Sequence, residues 1–290
     1  MKKSIFILAA LATMVLAGCS KDENSTDETP AMQTITLSCN IADDPATRAI
    51  FSVPATGNIQ PTWEEEDAIA LTPSDFSTVY KFTLVAGSIS ADGKTASFTG
   101  EFPTDKTAGY ALYPWCDGLI SGSSDYLNNY IGALDVAANN QTYTENAFDK
   151  NAFLLYGAVS GSSVNLGAGS TTFILHLKGT ATIGKITITS TGSHTNYACL
   201  NCGSGVALDE STSKIFAIST PYNFQKNTVL TFSFYDTSNN PLATKTKTIS
   251  SEENAYFGIL EMPELTINAA AAETRLCGPR PALRSAVGNM

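Results

Sequence analysis

The chain has 290 residues, of which 43% are apolar, and its 27 acidic against 17 basic side chains give a formal net charge of −10. The apolar content is enough for a folded core, and the length suits one large domain or two of ordinary size. The acidic balance argues against binding to nucleic acid or, through charge, to an anionic lipid surface.

The first 18 residues have the layout of a secretory signal peptide, with two lysines before an apolar run over residues 5–16. This run is too short to cross a hydrocarbon layer of roughly 30 Å, which argues against a membrane-spanning helix. Leu16-Ala17-Gly18-Cys19 resembles the lipobox of bacterial lipoproteins. The resemblance implies that residues 1–18 are removed and that Cys19 is acylated.

Residues 19–32 are rich in Ser, Thr, Asp and Glu, which favours a flexible tether between the lipid and a folded body. The tether begins with Ser20-Lys21-Asp22-Glu23, which resembles the surface-export signal of Bacteroidetes lipoproteins. This resemblance implies an outer-membrane lipoprotein at the cell surface.

Polar and apolar residues alternate over residues 33–41, which predicts a half-buried strand. Asp43-Asp44-Pro45 ends the strand, and Arg48 follows in a loop. Short runs rich in threonine, aromatic and β-branched residues then alternate with turn signals. They predict ten further strands, at 68–72, 78–85, 95–98, 108–113, 171–178, 182–190, 214–219, 229–235, 242–249 and 255–260.

This pattern predicts an all-β chain of the sandwich or barrel class. Gly132 and the polar content of residues 125–140 favour a loop there over a helix.

A Gly/Ser cluster near residues 160–170 predicts a boundary between an N-terminal domain, 33–163, and a C-terminal domain, 164–268. A long hairpin loop within one domain is the alternative.

Residues 269–290 differ in composition, since they hold three of the four arginines of the chain. They are either a disordered basic tail or the product of a shifted reading frame or cloning remnant, and we exclude them from the fold prediction.

Apart from Cys19, the chain has five cysteines, whose pairing the sequence leaves open: Cys39, Cys116, Cys199, Cys202 and Cys277. Cys199 and Cys202 have the spacing of a redox or metal half-site, with His194 nearby. A zinc site needs four ligands, so we favour a local disulfide or two free thiols in a loop, and we predict no metal and no cofactor.

The sequence does not predict an enzyme. It has no Gly-x-Ser-x-Gly, phosphate-loop or His-Glu-x-x-His motif. The carboxylates of Glu64-Glu65-Glu66-Asp67 are neighbours in sequence and would point to different faces of a strand. His176 lies among apolar residues, which favours a structural, hydrogen-bonded histidine.

Five blocks in order resemble the fimbrillin-like lipoproteins of Bacteroidetes, the type V pilus subunits with their tips and anchors. They are Trp63-Glu64-Glu65-Glu66-Asp67-Ala68-Ile69-Ala70, Phe98-Thr99-Gly100, Tyr110-Ala111-Leu112-Tyr113-Pro114, Phe153-Leu154-Leu155-Tyr156-Gly157 and Thr172-Phe173-Ile174-Leu175-His176-Leu177. Glu66 stands where this family usually has a glycine, so we expect the turn before Asp67 to differ.

The resemblance implies two β-sandwich domains of transthyretin-like topology in a structural subunit of a pilus. It also implies that an arginine-specific protease cuts after the first strand, which matches Arg48. Strand 33–41 would then leave, and a strand from another pilus subunit would fill the groove by β-strand addition. The implied partners are other subunits, this protease and the outer membrane that holds the lipid anchor.

Two features favour a tip or anchor over a stalk subunit. A disulfide from Cys39 would hold the first strand in place after cleavage, and the atypical tail occupies the end where a donor strand is expected.

A surface glycan-binding lipoprotein of a polysaccharide-uptake system is the alternative function. Five aromatic residues close in sequence are candidates for a sugar platform: Tyr110, Tyr113, Trp115, Tyr126 and Tyr130. Coplanar, solvent-facing rings would favour this function, whereas a buried first strand together with an exposed Arg48 loop would favour the pilus subunit.

Overall fold

The computed structural model describes residues 30–42, 61–116, 126–190, 196–250 and 258–269. Strands dominate these residues, which confirms the all-β prediction. Within these ranges, no helix has the length and apolar character needed to span a bilayer.

Seven strands close into a barrel: β1 (Met32–Ile41), β2 (Ala68–Pro73), β3 (Tyr80–Leu84), β4 (Thr95–Pro103), β5 (Ala108–Tyr113), β7 (Leu155–Ser160) and β8 (Ser163–Ala168). Around the barrel their order is β1-β4-β3-β2-β5-β7-β8. Neighbours run antiparallel except β1 and β8, which run parallel and close the sheet. Alternate side chains from these strands fill the interior, including Phe82, Phe98 and Leu166.

The N-terminal unit is thus a barrel, where the family resemblance implied a sandwich. The two architectures share short strands with alternating patterns, so periodicity does not separate them. The difference lies in the pairing of β1 with β8, whose partners, such as Cys39 and Val164, are far apart in sequence.

The C-terminal unit consists of two facing sheets. Its strands are β6 (Gln141–Thr142), β9 (Thr171–Lys178), β10 (Thr182–Ser190), β11 (Asn196–Ala207), β12 (Lys214–Thr220), β13 (Val229–Tyr235), β14 (Pro241–Thr248), β15 (Gly258–Glu261) and β16 (Leu265–Thr266). One sheet has the order β14-β13-β10-β11-β6, and the other has the order β12-β9-β15, with β16 also paired to β9. Phe173, Leu175, Ile186 and Phe232 from the two sheets share one core.

The last barrel strand, β8, is followed by β9 of the sandwich, but the earlier strand β6 already pairs with β11 of the sandwich, so the two units are not two consecutive stretches of chain. Much of the Gly/Ser-rich segment belongs to the barrel, because Gly161 turns the chain from β7 into β8 with a φ of 61°.

Helix α1 (Tyr126–Ala138) lies where the sequence predicted a loop, so that prediction was wrong. Tyr130, Leu134 and Ala138 recur every four residues and are buried. Tyr130 and Leu134 pack against Ala70 on the outside of the barrel. Burial of this face outweighs the low helix propensity of Gly132, which lies on the exposed side.

The end of this helix is tied to the sandwich through Gln141, which is fully buried. Its amide nitrogen donates to the carbonyl oxygens of Ala138 at 2.7 Å and Ser219 at 2.8 Å. Its amide oxygen accepts from the backbone N–H of Ser219 at 2.8 Å. The side chain therefore pairs with the edge of β12 as a peptide group would.

Candidate functional site at the first strand

Strand β1 lies between β4 and β8, and its two neighbours hold it to different extents. It pairs with β4 from Met32 to Asn40, but with β8 only from Ser38 to Ile41. In the described part of the chain, the first half of β1 thus has a strand partner on one side.

The inward face of β1 belongs to the barrel core. Leu37, Cys39 and Ile41 are at most 3% exposed, and Ile35 packs beside them. This alternation confirms the half-buried strand predicted at residues 33–41. Burial of three such side chains stabilises the fold by about 5 to 8 kcal/mol, which is comparable to the whole stability of a domain. A barrel without β1 would therefore need another strand in the groove.

Polar side chains line the outward face of β1. Thr36 donates to the hydroxyl of Thr99 at 3.3 Å, and Thr34 donates to Glu101. Asn40 donates to the side-chain oxygen of Asn165 on β8 at 3.2 Å. These exposed bonds contribute little, so the apolar face holds the strand.

Trp63 forms a hydrogen bond to the second half of β1. Its indole nitrogen donates to the carbonyl oxygens of Cys39 at 3.3 Å and Lys94 at 3.1 Å. The ring meets Phe98 and Tyr113 edge to face, with centroids 4.8 and 5.3 Å away. The sequence drew attention to Trp63 through the family resemblance, but gave no sign of its bond to β1.

The turn after Trp63 has the backbone conformation that suits a glycine, yet Glu66 adopts it with a φ of 75°. Asp67 closes the turn, because its carboxylate accepts from the backbone N–H of Glu64 at 2.8 Å. Glu66 therefore adopts the left-handed conformation that a glycine would favour, whereas we expected the turn to differ from that of the family.

Asp67 is buried and has two further partners. Its carboxylate accepts from the hydroxyl of Tyr113 at 3.2 Å and pairs with Lys150 at 3.2 Å. Burial and the nearby charge of Asp67 raise the pKa of Tyr113 far above its ordinary value. Tyr113 therefore stays neutral and donates to the carboxylate.

A cavity of about 510 Å³ lies beside the end of β1. Ile41 and Pro61 both line it, together with Trp63, Phe148 and Lys150. The segment that carries Arg48 connects Ile41 to Pro61 along the chain. That segment lies outside the described residues, as do Cys19 and the predicted export signal, Ser20 to Glu23.

Cys39 is a free, fully buried thiol, so no disulfide fixes β1 in this structure. Burial raises the pKa of Cys39 to about 12, which keeps the thiol protonated and unreactive.

Cys199 and Cys202 lie in strand β11, where the sequence predicted a loop. Both are free thiols, and Cys202 points into the core while Cys199 points outward. Residues three apart in a strand face opposite sides, which rules out the local disulfide. The described residues contain no cluster of three metal-ligating side chains.

His176 is hydrogen-bonded, as predicted. Its Nε2 lies 2.6 Å from a carboxylate oxygen of Glu261, which links β9 to β15.

Of the five aromatic residues proposed as a sugar platform, the four whose side chains are described do not share a surface. Tyr113 and Tyr130 are buried, whereas Tyr110 and Trp115 are half-buried, and the side chain of Tyr126 lies outside the description. Tyr110 and Tyr113 are three residues apart in β5, so one faces outward and the other lies in the core.

No protein-family model matches the chain, and no curated protein matches it. Two solved structures from Bacteroides ovatus ATCC 8483 are similar in part. A candidate cell adhesion protein is 14% identical with a TM-score of 0.37, over 75% of this chain and 86% of its own. A candidate adhesin is 10% identical with a TM-score of 0.27, over 89% of this chain and 99% of its own.

Proposed function

We propose that this protein is a structural subunit of a surface fimbrium, exported as an acylated precursor and assembled by protease-triggered exchange of a β-strand. The position of β1 carries the proposal. It is the first strand in the described part of the chain, it covers an apolar groove between β4 and β8, and it joins the body through the segment that holds Arg48.

Cleavage after Arg48 would make β1 a separate peptide bound by pairing and burial alone. Its departure would leave the edges of β4 and β8 unpaired and three inward positions empty. Unpaired backbone groups and an apolar groove are satisfied by an added strand. The incoming strand needs apolar residues at every second position, antiparallel to β4 and parallel to β8.

Cleavage alone would not empty the groove, because Leu37, Cys39 and Ile41 remain buried and Trp63 still holds the carbonyl of Cys39. A competing strand would have to displace β1. The partners in this proposal are therefore other pilus subunits, an arginine-specific protease and, before cleavage, the outer membrane through the lipid on Cys19.

A tip or anchor position remains part of the proposal. The free thiol of Cys39 removes one reason for it, since no disulfide would retain β1. The other reason is the basic composition of residues 269–290, which does not suit a donor strand. If Arg48 is not cut, Cys19 keeps the subunit attached to the membrane.

Arg48 allows a selective test, because it is the only arginine before residue 275. The mature chain, from Cys19 onward with that residue replaced by serine to omit the lipid, is treated with an arginine-specific protease, and its mass is followed by light scattering. We expect polymers whose amount rises with protein concentration, alone or with an intact partner subunit. Arg48→Gln is the matched control and should remain monomeric.

The thiol of Cys39 reports the departure of β1 directly. It should resist a maleimide reagent in the intact chain and become reactive on the released strand, whereas the buried Cys202 in the sandwich should stay protected. Cut protein that stays monomeric with a partner present, and whose Cys39 stays protected, would refute strand exchange.

A further inference from the structure

Three aromatic rings lie on the outer face of the barrel, away from the β1 groove. Phe76 is 49% exposed and Tyr156 is 43% exposed, which makes them two of the most exposed large apolar side chains described. The rings of Phe76 and Tyr110 stack with centroids 5.1 Å apart and an interplanar angle of 27°. We call these three residues the aromatic strip.

The register of the strands places the strip in a line. Tyr110 on β5 is opposite Ala158 on β7, and Tyr156 is opposite Leu112. Tyr110 and Tyr156 are therefore diagonal neighbours on the same outward face, at a spacing of roughly 7–8 Å. Phe76, in the turn after β2, continues the line on the other side of β5.

The backbone fixes the outer ring of the strip. Phe76 has a φ of 53°, which is rare for a bulky side chain. The turn is held by Asp75, whose carboxylate accepts from the backbone N–H of Ser77 at 3.1 Å and from Lys106 at 2.6 Å. An exposed phenyl ring kept in a strained backbone conformation is typical of a binding site.

The ring of Tyr156 is also held in place. It covers Gly169, where an added Cβ would lie 2.8 Å from its Cδ1 atom. Leu154 lies at the same position, so one edge of the ring packs on the backbone of the segment after β8. The strip is thus organised before any ligand arrives.

We infer that the aromatic strip binds a neutral oligosaccharide. The face of an aromatic ring carries negative charge density and attracts the polarised C–H groups of a pyranose ring. Asp75, Ser77 and Lys106 lie at the rim and can exchange hydrogen bonds with sugar hydroxyl groups. The excess of acidic residues in the chain, 27 against 17, disfavours an anionic glycan.

The small size of the strip favours a sugar over a protein partner. A stable protein interface buries roughly 800 Å² on each side. The other large exposed apolar residues described, Met32, Val85, Val136 and Val229, lie on none of the strands β2, β5 and β7. Three rings match the footprint of two or three sugar units instead.

This inference does not rest on strand exchange. The strip lies on β5, β7 and the turn after β2, whereas the groove of β1 is bordered by β4 and β8. Sugar binding should therefore be the same before and after cleavage at Arg48, and either property can fail while the other holds.

The test is affinity electrophoresis of the mature chain in native gels that contain barley β-glucan, xyloglucan, galactomannan or polygalacturonate. We expect at least one neutral polysaccharide to retard the protein and polygalacturonate to leave it unretarded. Phe76→Asn keeps the left-handed turn, which asparagine tolerates, and Tyr156→Thr keeps the strand. Each should weaken binding about tenfold.

Tyr235→Thr is the control, because it removes a partly exposed tyrosine from the sandwich. Circular dichroism establishes that each variant is folded. The inference is overturned if no neutral polysaccharide retards the protein, if the two strip variants bind like the parent, or if the control loses as much. A dimer that sedimentation detects in the parent and not in Phe76→Asn would also overturn it, since a second copy would then occupy the strip.

Discussion

The indole nitrogen of Trp63 lies 3.3 Å from the carbonyl oxygen of Cys39 and 3.1 Å from that of Lys94. One buried side chain thus bonds both to β1 and to the chain just before β4. Because β1 would become a separate peptide after cleavage at Arg48, this pair of bonds resists its release. Trp63 therefore links the stability of the barrel to the rate of any strand exchange.

We expect Trp63→Phe to lower the free energy of unfolding by about 2–4 kcal/mol. The variant loses two hydrogen bonds, leaves the buried carbonyl of Cys39 with a missing partner and creates a small void. Urea denaturation followed by circular dichroism measures the loss. Trp115→Phe, at the half-buried second tryptophan, should cost less than about 1 kcal/mol. Equal losses in both variants would contradict the role of the indole bonds.

We expect Glu66→Gly to stabilise the protein by about 0.5–1 kcal/mol. The left-handed backbone conformation costs a residue with a side chain roughly 1–2 kcal/mol, and glycine avoids this cost. Part of the gain is lost, because glycine gives up more conformational entropy than glutamate on folding. Glu65→Gly provides the matched control, because Glu65 is not among the residues with positive φ. That control should lose stability, and thermal unfolding of both variants is the measurement. A loss at Glu66 would mean that its side chain contributes more than its backbone costs.

The local features of this fold were accessible from the sequence, and the long-range ones were not. Strands β5, β9, β10 and β13 have the predicted bounds, because alternation and turn residues define them within a few positions. Barrel closure depends on β1 meeting β8, which no local pattern encodes. Helix α1 was missed because two residues of its buried face, Tyr130 and Leu134, pack on Ala70 of the barrel, which is distant in sequence.

In the candidate site too, local features could be predicted from the sequence and long-range contacts could not. The burial of β1 followed from its alternating residues, whereas the bond from Trp63 to Cys39 connects residues whose contact only the folded barrel creates. The aromatic strip could not be predicted either, because Phe76, Tyr110 and Tyr156 lie in three separate segments of the sequence.

We expect the thiol of Cys39 to make the protein less stable in alkali. Its pKa is raised from 9.0 to about 12 in the folded state by burial. Above pH 9 the unfolded chain releases this proton and the folded chain retains it, so stability falls as pH rises between these values. At pH 10 the loss from this group is about 1.4 kcal/mol relative to pH 7.5.

Cys39→Ala should remove this part of the alkaline loss in urea titrations at pH 7.5 and pH 10. Leu37→Ala, on the same face of β1, should lower stability at both pH values while leaving the difference between them unchanged. An unchanged pH dependence in Cys39→Ala would show that folding does not raise the pKa of this thiol.

We expect Gln141→Leu to destabilise the protein by about 2–4 kcal/mol, although leucine is more apolar and similar in volume. The amide of Gln141 satisfies the backbone N–H and carbonyl of Ser219, which lie buried at the edge of β12. Leucine would leave both groups without this partner, and each unsatisfied buried group costs about 1–3 kcal/mol. Gln225→Leu, at an exposed position, should change stability by less than about 0.5 kcal/mol.

Hydrogen exchange locates the effect of this change. If Gln141 ties the helix segment to the sandwich, the amide of Ser219 should lose protection in Gln141→Leu, while amides of β3 in the barrel keep theirs. Unchanged protection at Ser219 together with unchanged stability would mean that water replaces the amide without cost. The tie between the barrel-side helix and β12 would then come from packing alone.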